Sequence, residues 1–528
     1  MTWNRVTWTT LLVCAATLLG CPPSLPDSPD ASTPDAGTGY EWDGGYVPLE
    51  ETGNTWTDTG PFSPCTVTAA RGADCTDSSF FSFFDLSACD REPLANAGTD
   101  GLYLMTTRFD DSPPSFHAVT LRLRGDGGTQ YFEGRPITGQ ASDGNTRFYS
   151  SSFTTSRGTT WTTMLATCEA PQAPGFTGCM AVCSNGKYSY SETFKTQRMK
   201  WRTGESEASG LELVSENPVD IGYPVDVYVT KSHAYVVSII QDEKQGGLTV
   251  FDVSNPSAPV KVKSLQLEND AYWNGVWAKG DALYVASAAR GVLVFDISEP
   301  ANPRLVRTLP ATHLNIHTVF VEGNRLYAAA PSKGVLLFDV TTPTEPVELG
   351  RYASNPHDVF ATGDRLYISN GPYGFVVADA SNPSDIRELG SFSYEPQYAH
   401  HNAVGTFGGR TIAFEGGEGP GEHLRVLDIT DPANIVKIGE FQLRPEISIH
   451  NMVLVGKKLY IAWYQEGVRV LDVSNPTQPT QVAYYNTWRE TDEDPGHYFS
   501  GAFGIRVPGD GFIYAVDSLR GLLILREQ

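Results

Sequence analysis

A short phrase, in which a proline follows an aspartate by four residues, occurs six times from residue 249 onward. The copies TVFDVSNP, LVFDISEP, LLFDVTTP, VVADASNP, RVLDITDP and RVLDVSNP contain Asp252, Asp296, Asp339, Asp379, Asp428 and Asp472. Successive aspartates are 44, 43, 40, 49 and 44 residues apart. A period of this length is typical of stacked supersecondary units, so the sequence predicts a repeat architecture over residues 211–528.

Each repeat predicts four short β-strands. In the copy around Asp379 these are HDVFATG, RLYIS, the strand that ends at the aspartate, and a segment near IRELGSF. Four strands in one period match one blade of a β-propeller, in which radial repetition leaves only short, protected sheet edges. An apolar stripe at helical spacing is absent, which disfavours a helical solenoid.

The recurring side chains have structural explanations. Aspartate, serine or threonine, and proline are turn residues, because they supply acceptors for exposed N–H groups and a fixed φ. The six repeated aspartates are therefore interpreted as structural turn residues and not as catalytic acids. A tyrosine also recurs in the second strand and is expected to pack between blades; it occupies positions 235, 284, 327, 367, 460 and 514.

The repeat predicts seven blades. First-strand segments begin near Val225, Asn274, His317, His357, His401, His450 and Gly504. Only six complete fourth strands follow them, because the sequence stops at GLLILREQ. The apolar stretch 211–214 is expected to supply the missing outer strand of blade seven, which leaves neither terminal edge unpaired.

The first twenty-one residues predict a lipoprotein signal peptide. One basic residue, Arg5, precedes the apolar run 11–19, which is far shorter than the roughly 20 residues that span a bilayer. The run ends in LLGC, which resembles the bacterial lipobox and makes Cys21 the expected lipidation site. The sequence therefore predicts an exported chain, lipid-anchored in the bacterial envelope at the outer membrane or cell surface.

Two further regions precede the repeats. Residues 22–60 are rich in Pro, Asp, Ser, Thr and Gly, which predicts a disordered tether. Residues 61–205 contain six cysteines in strand-like, Thr- and Ser-rich sequence, which predicts a small disulfide-bonded antiparallel β domain with fifteen possible connectivities. A zinc site at the last two of them is the less favoured alternative; the six are Cys65, Cys75, Cys89, Cys168, Cys179 and Cys183.

The repeats resemble those of a known family, the LVIVD-repeat proteins. The motifs LTVFDVSNP, VLVFDISEP, VLLFDVTTP, FVVADASNP, LRVLDITDP and VRVLDVSNP carry the resemblance. It implies a β-propeller in an exported or cell-surface protein, and it implies no established catalytic activity. Blade five departs from the pattern, since His423 replaces the hairpin glycine and Ile412 the tyrosine.

Composition and motifs narrow the function classes. The net charge of −23 argues against nucleic-acid partners, which select basic patches. The sequence contains no G-x-S-x-G, Walker, dinucleotide-binding or H-E-x-x-H motif. The favoured hypothesis is a non-catalytic surface lipoprotein whose propeller binds a protein or a glycan. The alternatives are a metal-dependent hydrolase or oxidoreductase and a purely structural envelope protein.

Histidines at the start of successive first strands are the candidate metal ligands. His317, His357, His401 and His450 occupy this place, with His400 beside the third. Because first strands are innermost in a propeller, these imidazoles can converge on the axis and bind a divalent metal such as Zn²⁺, Cu²⁺ or Ni²⁺. The favoured interpretation is structural, with each imidazole fixing a turn, and no cofactor is certain.

Two acidic segments are weaker candidates for Ca²⁺ binding. They contain Glu415, Glu418 and Glu422, and Glu490, Asp492, Glu493 and Asp494. Neither has the spacing of an EF-hand loop. Solvated acidic loops are therefore the expected interpretation.

The lipid anchor gives a direct prediction. Mass spectrometry of the mature protein is expected to find Cys21 as the first residue, carrying acyl chains. An unacylated mature terminus at another position would contradict the prediction.

Overall fold

The computed structural model describes residues 41–53, 58–110, 114–155, 158–241, 244–310, 313–394, 398–491 and 497–528. Over these residues the chain is all-β apart from three 3₁₀ helices, Ser78–Phe83, Pro93–Asn96 and Pro432–Asn434. No helix in the described ranges has the length and apolarity needed to cross a membrane. The predicted signal peptide, Cys21 and the first part of the predicted tether lie outside the described residues.

Residues 41–53, which the sequence assigns to the tether, are ordered against blade five. The Trp42 side chain is only 4% exposed, and Tyr46 donates a hydrogen bond of 2.8 Å to Asp428. Glu51 forms an ion pair of 2.9 Å with the buried guanidinium of Arg425. These contacts of Trp42, Tyr46 and Glu51 offset the conformational entropy that is lost when the segment becomes ordered. The rest of the predicted tether has few residues that could make such contacts.

The cysteine-rich region contains a closed eight-stranded antiparallel barrel. Its strands are Gly101–Phe109, Ser115–Leu123, Tyr131–Phe132, Arg135–Asp143, Thr146–Thr154, Thr160–Glu169, Thr177–Ser184 and Lys187–Arg198, and a separate pair, Thr66–Val67 and Phe84–Asp85, precedes it. Apolar side chains such as Leu121, Phe132 and Phe194 fill a core that these strands share. The prediction of an antiparallel β domain is confirmed, and its strands close on themselves so that no barrel edge is left open.

Three disulfides attach the preceding segment to the barrel wall. They join Cys65 to Cys179, Cys75 to Cys183 and Cys89 to Cys168. Cys179 and Cys183 are four residues apart on one strand, so both side chains face the same side of the wall. The predicted disulfides are confirmed, and they occupy both cysteines of the alternative zinc site.

The repeats form the predicted seven-bladed β-propeller. The strands of blades one to four are Tyr223–Thr230, His233–Ile239, Gly247–Asp252 and Val260–Leu265; Trp273–Lys279, Ala282–Ser287, Gly291–Asp296 and Arg304–Leu309; Thr318–Glu322, Arg325–Ala330, Gly334–Asp339 and Val347–Tyr352; Asp358–Thr362, Arg365–Ser369, Phe375–Asp379 and Arg387–Phe392. Those of blades five to seven are Ala399–Phe407, Arg410–Gly417, Leu424–Asp428 and Val436–Phe441; Met452–Val455, Lys458–Trp463, Gly467–Asp472 and Thr480–Tyr485; Ala502–Arg506, Ile513–Asp517, Gly521–Glu527 and Leu211–Asn217.

The ring closes as the sequence predicts. Leu211–Asn217 pairs antiparallel with the last strand, Gly521–Glu527, and so completes blade seven from the N-terminal side. The short strand Ala208–Ser209 pairs with the outer strand of blade six. Both ends of the propeller sequence are therefore hydrogen-bonded into sheets, which removes the open edges that favour aggregation.

The repeated residues join each blade to itself and to its neighbour. In all six phrases the aspartate carboxylate accepts a hydrogen bond from the backbone N–H two residues later, at 2.7 to 3.0 Å. The hydroxyl of Tyr284 donates to the carbonyl of Pro343, in the turn of the next blade, at 2.7 Å. Tyr235 donates to Pro300 in the same way at 3.0 Å. The phrase is thus both a turn and the acceptor for the preceding blade.

The barrel contacts the propeller beside blades six and seven. Trp201 donates a hydrogen bond of 2.9 Å to the carbonyl of Trp488, and Arg444 donates one of 2.7 Å to the carbonyl of Lys200. The backbone N–H of Tyr498 reaches the carboxylate of Glu133 on the barrel at 3.3 Å. Trp488 and Tyr498 lie in the segment that leads into the first strand of blade seven, and Arg444 lies in the segment that leads into that of blade six. The barrel therefore lies on the side where first strands begin.

The contact between blades two and three gives a stability prediction. Tyr284→Phe removes the bond to Pro343 without changing the packing of a fully buried ring, so we expect the free energy of unfolding to fall by about 1 kcal/mol. Chemical denaturation followed by fluorescence measures the change. Tyr373→Phe is the control, because that side chain is 63% exposed; equal losses in both variants would contradict the assignment.

Candidate functional site

The first strands of all seven blades surround an axial channel. Its cavity has a volume of about 1060 Å³. The cavity runs from a layer of imidazoles near the strand starts to the turns that follow the strand ends, such as Ser232 and Gly323. A cavity of this size is at the upper end of the range for small-molecule sites.

Four aromatic rings form an arc at the end of the channel where the first strands end. Tyr228, Trp277, Phe320 and Phe360 come from the first strands of blades one to four and occupy matching positions in them. Successive ring centroids are 5.2, 4.5 and 5.0 Å apart. The guanidinium of Arg506 from blade seven lies 4.2 Å from the centroid of the Trp277 ring. We call these five side chains the aromatic mouth.

Four imidazoles lie in contact at the other end of the channel. The ring centroids of His317 and His357 are 4.2 Å apart, those of His357 and His400 are 4.0 Å apart, and those of His400 and His450 are 4.2 Å apart. We call these four residues the histidine layer. The convergence expected from the sequence occurs, but blade five contributes His400 to it.

A β-bulge explains why the blade-five residue is His400. The ladder between the first two strands of blade five skips His400, which pairs with no residue opposite, so its side chain is re-aimed. His401, the next residue along the strand, faces the channel outside the histidine layer, and its Nε2 lies 3.0 Å from Asp358. The same one-residue bulge places Phe503 of blade seven against His450, at 4.9 Å between centroids.

Backbone carbonyls fix the orientation of two imidazoles. Nδ1 of His450 lies 2.7 Å from the carbonyl oxygen of Phe503, and Nδ1 of His357 lies 3.2 Å from that of His400. A carbonyl only accepts, so Nδ1 carries the proton in each neutral ring and Nε2 keeps its lone pair. At the end of the layer, Nε2 of His317 lies 3.1 Å from the side-chain amide of Asn274.

The interior position of the layer keeps the imidazoles neutral. Burial lowers the pKa of His317 to about 4 and that of His450 to about 3. Burial and the neighbouring imidazoles lower the pKa of His357 and His400 well below the usual 6.5. At neutral pH the layer therefore presents uncharged nitrogen ligands.

Glu418 brings a carboxylate to the layer from the long loop of blade five. Its oxygens lie 3.7 Å from Nε2 of His400 and 3.9 Å from Nε2 of His450. The hydroxyl of Tyr464 donates to the same carboxyl group and holds it in place. Burial raises the pKa of Glu418 to about 7.

The other glutamates of that loop have a different role. Glu422 forms an ion pair of 2.7 Å with the fully buried guanidinium of Arg425, and Glu415 accepts a hydrogen bond of 3.0 Å from Tyr394. Their exposed fractions are 6% and 0%, so the expectation of a solvated loop is wrong for these two residues. Burial raises the pKa of Glu415 to about 8. Of the second acidic segment, Asp492, Glu493 and Asp494 lie outside the described residues.

Sequence reasoning missed Glu418 and Tyr464 as neighbours of the histidines. Glu418 belongs to EGGEGPGEH, the stretch that lengthens blade five, and its added length is the signal that a side chain can reach the axis. Tyr464 stands just after the second strand of blade six and carries no repeated pattern. Its approach to Glu418 depends on how two blades meet, which periodicity does not encode.

Comparison with known proteins identifies the repeats. The family model described as LVIVD repeat matches residues 221–266, 272–309, 316–354, 355–393 and 450–487. These ranges are blades one to four and blade six. Blades five and seven are not matched, and blade five is the one in which His423 and Ile412 depart from the pattern. No curated protein matches the chain.

Solved structures resemble the chain at low sequence identity. The WD40 β-propeller domain of Doa1 aligns with a TM-score of 0.46 and 13% identity, over 61% of this chain and 98% of that chain. The computationally designed Ika8 protein aligns with a TM-score of 0.42 and 11% identity, over 60% of this chain and 99% of that one. A chain of a mitotic checkpoint complex structure aligns with a TM-score of 0.43 and 11% identity, over 63% and 98%.

The histidine layer gives a prediction about pH. The pKa of His317 is about 4 in the folded state and has its ordinary value of 6.5 in the unfolded state. Between these two pH values the folded state binds fewer protons than the unfolded state. His317 therefore lowers the free energy of unfolding as the pH falls through this range. In the presence of a chelator, lowering the pH from 7 to 5 should reduce the free energy of unfolding of the wild type by on the order of 1 kcal/mol relative to His317→Asn.

Comparing the two proteins at each pH cancels the contributions of the titratable groups that both contain. Glu418 is one of these groups, and its raised pKa stabilises the folded state at low pH. Asparagine is tolerated at this place, since Asn274 occupies it in blade two. His313→Asn is the control, because this histidine is exposed. A difference between wild type and His317→Asn that does not change with pH would contradict the prediction.

Proposed function

Because the chain belongs to the LVIVD-repeat proteins and folds as a seven-bladed β-propeller, we propose that it is a binding protein of the bacterial cell envelope that takes a glycan into its axial channel. The observation that carries the proposal is the aromatic mouth over a cavity of about 1060 Å³. The proposal assigns no reaction to the protein.

The chemistry of the mouth suits a sugar ring. One face of a sugar ring is apolar and stacks on an aromatic ring, while its hydroxyls need hydrogen-bonding partners. The partly exposed Trp277 and Phe320 provide apolar faces. Below them, Asp226, Asp358 and Asn451 line the channel and offer carboxylate and amide groups. This combination of aromatic walls with a few polar groups is characteristic of ligand sites.

The two carboxyl groups can accept hydrogen bonds from the hydroxyls of a ligand. Burial raises the pKa of Asp226 and of Asp358 to about 6, so both groups are mainly ionised at neutral pH and act as hydrogen-bond acceptors. Asp226 accepts backbone hydrogen bonds from Val227 at 2.8 Å and Val276 at 3.0 Å, which hold it in position. A carboxylate held in a fixed position can accept a hydrogen bond from a sugar hydroxyl.

The disulfides support an envelope location and therefore the choice of an envelope ligand. Disulfides persist in oxidising compartments, and the three in the N-terminal domain are consistent with a location outside the cytoplasm. A lipid on Cys21 would then anchor the protein at the outer membrane or cell surface, where glycans are abundant. The anchor and the location remain parts of the proposal.

The aromatic mouth gives the test. The mature protein is screened on an array of bacterial glycans, and the affinity of the best ligand is measured by calorimetry. Trp277→Ala is expected to weaken binding by roughly 30-fold, since loss of an aromatic anchor costs about 2 kcal/mol. Circular dichroism of the variant verifies that the fold is retained.

Tyr373→Ala is the matched control. Tyr373 is 63% exposed and lies in the turn between the second and third strands of blade four, at the opposite end of the ring from the aromatic mouth. It is expected to bind like the wild type. Equal affinities of wild type and Trp277→Ala, or binding of peptides but of no glycan on the array, would reject the proposal.

A further inference from the structure

Ligand atoms of three side chains converge beside the histidine layer. His357, His400 and Glu418 each offer one such atom, and these atoms lie within 4.8 Å of one another. The separations of 3.7 Å and 3.9 Å between Glu418 and the Nε2 atoms of His400 and His450 are too long for hydrogen bonds. Two ligands ~2.1 Å from a tetrahedral zinc ion are roughly 3.4 Å apart. The two separations from Glu418 are therefore close to the spacing of ligands around one ion.

The hydrogen bonds of the imidazoles prepare them as ligands. In His357 and His450 the Nδ1 proton goes to a backbone carbonyl, which leaves Nε2 as a free lone pair. Metal-binding histidines in proteins make this same bond with their other ring nitrogen, and it fixes both tautomer and ring orientation. Nδ1 of His400 is buried and has no hydrogen-bond partner among the described residues.

The carboxyl group of Glu418 adds a charge argument. Within the described ranges, no arginine or lysine lies within ion-pair distance of it, and its neighbours are imidazoles and the hydroxyl of Tyr464. A buried carboxyl group either becomes protonated or, as a carboxylate, is paired with a cation or coordinates a metal. A divalent cation among the imidazoles would supply the missing positive charge.

We infer that His357, His400 and Glu418 bind one divalent transition-metal ion of the zinc class, with His450 completing the set. Imidazole nitrogens select Zn²⁺, Cu²⁺ or Ni²⁺ over Mg²⁺ and Ca²⁺, which prefer oxygen ligands. His357, His400 and His450 line the channel, so an ion can reach them from its open end. This inference goes beyond the glycan proposal and does not depend on it.

The experiment measures Zn²⁺ binding by the mature protein without a histidine tag. The protein is stripped with a chelator, titrated with Zn²⁺ in a calorimeter and analysed for bound metal. One equivalent is expected per chain. Glu418→Gln and His400→Gln, which keep the approximate side-chain size, are expected to weaken binding by roughly 100-fold. Zn²⁺ should raise the melting temperature of the wild type and not that of these variants.

His401→Gln is the matched control. It changes the adjacent residue, whose Nε2 faces Asp358 and not the layer, so binding is expected to match that of the wild type. Cobalt substitution gives a second readout that does not depend on variant stability, because visible absorption of a tetrahedral Co²⁺ site is expected for the wild type. Zn²⁺ binding that survives in both Glu418→Gln and His400→Gln, or a stoichiometry far below one, would overturn the inference.

Discussion

A propeller blade can bury both faces of its sheet only against other blades, and the rest of the structure follows from this constraint. The third strands read as near-continuous apolar runs such as GVLVFD, in which every residue but the aspartate is buried. A single blade built from such strands cannot be stable alone in water, because both faces of its sheet are apolar. Seven copies satisfy one another when the ring is closed, which is why strand Leu211–Asn217 must return to the last blade.

Ring closure also creates the channel and its chemistry. First strands from every blade meet at the axis, so a polar residue repeated at one strand position becomes a ring of identical groups. Four imidazoles thereby lie within 4.0 to 4.2 Å of their neighbours in a desolvated layer. In an open solenoid the same repeated residues would be spread along the molecule, whereas in a closed ring they meet at the axis. The pKa values of these imidazoles fall because burial excludes water from them.

The sequence predicts the features that depend on the repeat. It does not predict features that depend on a single residue at which one blade differs from the others. Blade number, strand order and terminal closure follow from the spacing of the aspartates and from the apolar stretch at 211. The choice between His400 and His401 does not, because a bulge shifts the side-chain register by one residue without changing composition. Disulfide connectivity is likewise open to the sequence, since three-dimensional closure of the barrel decides which cysteines meet.

The ordering of the N-terminal segment 41–53 could not be predicted from the sequence either. Its composition resembles the tether that precedes it, yet Glu51 enters a site whose other half, Arg425, lies in blade five. A pattern within the segment cannot reveal a partner that far along the chain. Burial of Trp42 and of this ion pair decides the outcome, and both depend on the finished fold.

Buried arginines distinguish blades five to seven from blades two to four. Arg425 and Arg469 stand three residues before the phrase aspartates, where blades two to four carry leucine or valine. Each pairs with a glutamate from the N-terminal part of the chain, Glu51 at 2.9 Å and Glu205 at 2.7 Å. Arg520 of blade seven pairs with Glu216 at 2.7 Å.

Removing one member of such a pair leaves a buried charge, which costs about 3 to 5 kcal/mol, so these blades and the N-terminal segments constrain each other. The pairs hold the N-terminal segments against blades five to seven, and the barrel lies on the side where first strands begin. Blades one to four keep the regular repeat and supply the four rings of the aromatic mouth at the opposite end of the channel. Blades five to seven therefore hold the N-terminal segments, and blades one to four provide the surface that stays available to a ligand.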